Sequence, residues 1–122
     1  MVLDAASADE SAERAAAATA LRFASEGAET EALHALVNDS ETEVQNAALV
    51  SLEARGFLAE DASAVVQSVL ERSMKQANLL AAANVLLAQE DISPYRAALG
   101  LIAQRADGLP RLRARIEKRL DE

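Results

Sequence analysis

Three segments of this chain carry small side chains at the same helical phase. Val44, Ala47, Ala48, Ser51 and Leu52 recur 35 positions later as Leu79, Ala82, Ala83, Leu86 and Leu87. Ala47, Ala48, Ser51 and Leu52 also recur 31 positions earlier as Ala16, Ala17, Ala20 and Leu21. A spacing of this size is the mark of stacked units, none of which can bury its apolar face alone. Small residues at i and i+1 let two helix backbones approach closely, so a helix that carries them fits between neighbours on both sides. Ala47 and Ala48 are therefore read as packing spacers, and their helix must lie inside an assembly of others.

Composition points the same way. The chain is 51% hydrophobic but only 2% aromatic, so its interior must be built from Ala, Leu, Val and Ile, which suits closely spaced helices better than a sheet. Its 122 residues fit one domain. Seven helices are predicted from periodicity and end signals. Ser7 and Glu10, spaced as a capping box, open a helix over 8–25 that Gly27 closes; a second covers 29–37; Ser40 and Glu43 open a third over 41–55, closed by Gly56. Asp61 is the expected N-cap of the fourth, whose Ala62, Val65, Val66, Val69 and Leu70 make one apolar face. The fifth, over 76–89, reads QANLLAAANVLLAQ and is apolar almost all round, which predicts the most buried helix. Ser93 and Pro94 begin the sixth, with Tyr95, Ala98, Leu99, Ile102 and Ala103 aligned, and Gly108 ends it. Pro110 opens the seventh, along which Leu109, Leu112, Ile116 and Leu120 form a narrow stripe.

The segment LHALVNDSETEVQNAALVSL resembles a HEAT repeat. Leu33 and Leu36 in the first helix, Asp39 in the turn, and Val44, Ala48, Ser51 and Leu52 in the second stand where that family's pattern has Leu, Leu, Asp, Val, Ala, Ala and Leu. Gln45 departs from the family's Arg, which completes an Asp-to-Arg ladder between repeats, and Ser51 departs from its Ala. The match is good over 29–56; the pairs at 61–89 and 93–120 share the layout without the turn Asp and following Val. The resemblance implies an all-α, right-handed α-α superhelix (a HEAT-like solenoid) of one leading helix and three antiparallel pairs, forming a single domain over 1–122 with residues 1–6 disordered. A non-repetitive bundle of the same helices is the alternative packing. In HEAT-like proteins the second helices line the ligand-facing side. The resemblance thus points to Asn46, Leu49, Val50 and Glu53 in the third helix, and to Asn84 and Ala88 in the fifth, as partner-binding positions. Leu49 and Val50 suit equally well a contact with an adjoining helix.

Charge and chemistry restrict the function further. The formal net charge of −8 opposes general affinity for nucleic acid or anionic lipid, yet residues 94–122 carry a balance of +3 against −11 for the remainder. Arg111, Arg115 and Lys118 make a basic stripe on the last helix, away from Leu112 and Ile116, with Arg119 to one flank. This stripe is either a solvated helix face or a site for an acidic protein or a phosphate backbone. Glu26, Glu29, Glu60, Asp61, Glu90 and Asp91 recur at the connections, either as N-terminal helix charges or as an acidic rim. With no cysteine and His34 as the sole histidine, beside an apolar face, no thiolate site, paired-histidine site or hydrolytic relay can be assembled. No phosphate loop or nucleophile elbow is present either, so no enzyme, cofactor or metal is expected. The opening MVLDAASADES lacks a signal-peptide pattern and no apolar run approaches about 18 residues, giving the expectation of a soluble, cytoplasmic protein without membrane contact. The leading functional expectation is a non-catalytic protein-protein interaction module or scaffold. The alternatives are a regulatory or chaperone-like bundle that dimerises or masks an apolar segment, and phosphate-backbone binding through the C-terminal helix.

Overall fold

Periodicity at 3.6 residues, with Gly and Pro confined to the connections and helix ends except for Gly100, yields α-helix throughout the described part of the chain. A computed structural model describes residues 9–23, 27–56, 58–72 and 74–122. Among these residues there are seven α-helices and no strand: α1 Ser11–Ala20, α2 Gly27–Val37, α3 Thr42–Ala54, α4 Ala59–Glu71, α5 Gln76–Leu87, α6 Arg96–Arg105 and α7 Pro110–Leu120. Short 3₁₀ turns at Leu21–Phe23 and Ser93–Tyr95 complete the helical structure. No helix among the described residues is long and apolar enough to cross a membrane.

The helices form two layers. The odd helices touch in the order α1, α3, α5, α7, the α1–α3 contact being the most extensive, and the even helices touch in the order α2, α4, α6. Each even helix also packs on the odd helix that follows it. All substantial contacts therefore join elements no more than two apart in sequence. Val44, Ala48, Leu49 and Leu52 of α3 and Leu79, Ala82, Ala83 and Leu86 of α5 are completely buried between the layers. Eight of the twelve residues of α5 are buried, as its all-round apolarity requires. In α7 only Leu112 and Ile116 are buried, and its outer side is charged.

Polar ties repeat along the stack. Ser51, Ser68, Arg72, Asn78, Arg105 and Arg119 each donate to a main-chain carbonyl 31 to 36 residues earlier. The two serines are themselves buried, Ser51 Oγ reaching Ala18 O at 2.6 Å and Ser68 Oγ reaching Val37 O at 2.7 Å. Only a short side chain can bond a neighbouring backbone at such close approach, and each such bond is worth about 1 kcal/mol net. Asp39 organises the first turn. It accepts from Glu41 N at 2.9 Å and from the Arg14 guanidinium, Nε to Oδ2 at 2.9 Å, while its own carbonyl accepts from Gln45 Nε2 at 2.6 Å. The Asp39 hydrogen bond raises the Arg14 pKa.

Several end signals resolve differently from the sequence expectation. The first helix gives way at Leu21 to a 3₁₀ turn, which directs Leu21 into the core, and Gly27 is helical, as part of α2, instead of closing α1. Ser7, Glu26 and residues 1–6 lie outside the described residues. Ser40 does not cap α3; Glu41 holds that position and the Asp39 side chain takes the free N–H. Gly56 does end α3 with φ +97°, a backbone conformation that L side chains rarely adopt. Asp61 is not an N-cap, because α4 starts at Ala59 and draws Asp61 into the interior.

Ala48 is completely buried, whereas Ala47 is half-buried and lines a groove between α1 and α3. Ala48→Leu should therefore destabilise the fold by about 1–3 kcal/mol through overpacking, with Ala47→Leu far better tolerated, as read by urea denaturation. Ser93 N donates to Asp91 Oδ1 at 3.0 Å, and this backbone bond holds the exposed Asp91 carboxyl below its ordinary value of 3.8. Its contribution to stability is complete above that ordinary value and disappears as the pH falls through the lower folded one. A carbon-detected NMR titration should place the Asp91 midpoint below that of a free aspartate.

Candidate binding surface

The outward side of the odd layer is set by helical phase. In α3 the residues that escape burial are Thr42, Glu43, Asn46, Ala47, Val50, Glu53 and Ala54; in α5 they are Gln76, Ala77, Leu80 and Asn84, with Ala88 exposed just past its end. From Glu43 the α3 set follows i, i+3, i+4 and i+7 spacing, and Ala77, Leu80, Asn84 and Ala88 follow i, i+3, i+7 and i+11, so each makes one stripe along its helix. Asn46 Nδ2 donates to Asn78 Oδ1 at 2.9 Å, joining α3 to α5, and Arg115 Nη1 donates to Asn84 Oδ1 at 3.3 Å, joining α7 to α5. Asn78 is buried and also donates to Gln45 Oε1 at 3.2 Å, which holds the amide pair in place.

Most of the residues expected at a partner site are accordingly on this side. Asn46, Glu53 and Asn84 are half-buried, Val50 is 52% exposed, and Arg111, Arg115 and Lys118 are exposed on α7. Leu49 is the exception. It is completely buried, on the flank shared with Gln45 and Leu52, and is a core residue rather than a contact for a partner. Of the two packings open to Leu49 and Val50, the structure divides the pair, one in and one out. Arg119 also differs from its neighbours: its guanidinium donates to Leu87 O at 2.7 Å and Gln89 O at 3.2 Å, satisfying carbonyls at the end of α5.

Two apolar clefts flank this surface. One, of about 230 Å³ between α1 and α3, has Ala47, Val50 and Ala54 among its walls with Arg22 and Asn46 at its edge. The other, of about 400 Å³ between α5 and α7, is walled by Leu80, Leu109, Pro110 and Leu112. Leu80, 37% exposed, is a residue that sequence reasoning passed over. Its phase with Ala77, Asn84 and Ala88 was the available signal, hidden because Leu79, Ala81, Ala82 and Ala83 beside it are also apolar.

A larger groove of about 570 Å³ runs between α2 and α4 in the even layer, lined by His34, Asn38, Ser63, Gln67 and Arg72 among others. Its imidazole is tied from behind. His34 Nε2 donates to Asp61 Oδ1 at 2.7 Å, and Arg55 Nε lies 3.6 Å from Asp61 Oδ2 while its Nη2 donates to Glu60 Oε1 at 3.1 Å. Asp61 is completely buried and Arg55 nearly so, so this cluster latches α2, the end of α3 and α4 together. The acidic rim expected at the connections is therefore broken at Asp61, whose carboxylate points inward. No protein-family model, curated protein or solved structure matches this chain.

Asp61→Ala leaves Arg55 buried beside a vanished countercharge and should cost about 3–5 kcal/mol in chemical denaturation, several times the cost of Glu60→Ala at the exposed end of the same cluster.

Proposed function

We propose that this protein is a non-catalytic, HEAT-like helical repeat module that binds another protein through the outward side of α3, α5 and α7. The repeat reading is supported by the spacing of its contacts. The substantial helix contacts reach no further than two helices along the chain, and the side-chain-to-carbonyl ties span 31 to 36 residues, matching the 31- and 35-residue offsets between the small-residue patterns. Arg14 stands 31 residues before Gln45 and supplies to Asp39 the guanidinium that Gln45 lacks, which is the pairing a HEAT-like ladder calls for.

One observation carries the binding reading: Val50 and Leu80 stand exposed beside apolar clefts, on helices held in place by buried neighbours. Exposed aliphatic side chains next to half-buried amides and a charged margin make the mixture typical of a protein interface. Because the helices beneath are packed on both sides, the surface is organised before a partner arrives, which lowers the entropic cost of association.

Val50→Asp should abolish capture of partner proteins in an affinity experiment while the circular dichroism spectrum and unfolding midpoint stay close to wild type. Ala35→Asp, on the exposed side of α2, should leave capture intact. A set of captured proteins unaltered by Val50→Asp would reject this surface.

A further inference from the structure

We infer that the α5–α7 end of this surface takes an acidic peptide segment bearing one aliphatic or aromatic anchor residue, an inference that rests on the binding reading above. The cleft between α5 and α7 supplies the anchor site, since its walls are the carbon atoms of Leu80, Leu109, Pro110 and Leu112. Arg111 and Arg115 stand on its margin, and Arg115 also borders the adjoining cleft with Lys118. The three cations are spaced i, i+4 and i+7, so they form one row about 10 Å long beside the apolar walls.

Their charge state within the protein is what selects the ligand. Three arginines of this acidic chain meet carboxylates, Arg14 with Asp39, Arg55 with Asp61 and Glu60, and Arg119 with Glu122, while Arg72, Arg96 and Arg105 donate to main-chain carbonyls. Among the described residues no carboxylate pairs with Arg111, Arg115 or Lys118, and Arg115 donates only to the neutral amide of Asn84. A chain with a net charge of −8 thus leaves a row of cations unneutralised at the edge of an aliphatic cleft. Like charges at i and i+4 repel along a helix, and carboxylates arriving with a ligand relieve that repulsion. The walls are aliphatic and offer no stacking platform for bases, and the overall negative field opposes a long polyanion, so an acidic protein segment fits better than nucleic acid.

Panning a random-peptide display library against the folded protein tests the assignment. The expected ligands carry Asp or Glu around a single Leu, Ile, Phe or similar residue. Their affinity should fall as salt is raised, and Arg111→Glu with Arg115→Glu, or Leu80→Ser alone, should weaken binding by about tenfold or more with circular dichroism unchanged. Enriched peptides without acidic residues, or indifferent to the charge reversals yet lost with Val50→Asp, would overturn this inference and leave the broader binding reading standing. A DNA or RNA oligonucleotide that binds more tightly than any selected peptide, or self-association in sedimentation that the charge reversals abolish, would assign the cleft to a different occupant and overturn it too. A library that yields no ligand at all would overturn both.

Discussion

Close approach of α1, α3 and α5 is the constraint on which the remaining structure depends. Ala17 and Ala18 in α1, Ala48 in α3, and Ala82 and Ala83 in α5 are buried where the helices meet, and the absence of larger side chains there brings the backbones together. Once the backbones are that close, a serine hydroxyl spans the gap, as Ser51 does to the carbonyl of Ala18. The same device appears in the other layer, where Ser68 of α4 reaches Val37 of α2. Long aliphatic side chains such as Leu33, Leu52, Leu79, Leu86 and Leu99 then fill the space between layers.

The polar groups drawn inside by this packing are mostly satisfied in place, and they give the stack its register. Asn78 bonds Gln45, Thr42 O and Asn46 together, so a one-residue slide of α5 along α3 would strand three partners. On the even layer Asp61 plays the corresponding part, with His34 and Arg55 converging on one buried carboxylate. The even-layer groove is polar and cross-linked by these bonds, while exposed aliphatic side chains stand on both layers, Leu70 on α4 and Val50 and Leu80 on α3 and α5.

Much of this was legible from residue patterns, and the exceptions have physical reasons. The number of helices, the burial of α5 and the Gly56 terminus follow from local periodicity and backbone preference, which act within a few residues. Asp61 was misread because a carboxylate in the first turn of a helix normally serves its own N–H groups; here His34, 27 residues away, and Arg55 offer a stronger pairing. Leu49 and Val50 are adjacent and both aliphatic, so composition could not separate them. A rotation of about 100° per residue puts one toward the core and the other toward solvent, and only the positions of α1 and α5 decide which. Leu80 was concealed for the complementary reason, since an apolar residue in an apolar helix stands out only when the neighbours fail to cover it.

By itself, then, the amino-acid order determined that the chain is helical, that small residues recur at one helical phase, and that its last helix carries a basic row. These are properties of short windows, set by propensity, phase and charge. The tertiary structure decided which side of α3 is open, that α5 and α7 leave an aliphatic cleft beside Arg111 and Arg115, and that Asp61 lies inside rather than on a rim. Each of these depends on contacts between elements some thirty residues apart, where the packing of neighbouring backbones, and not the nature of any single side chain, settles what water can reach.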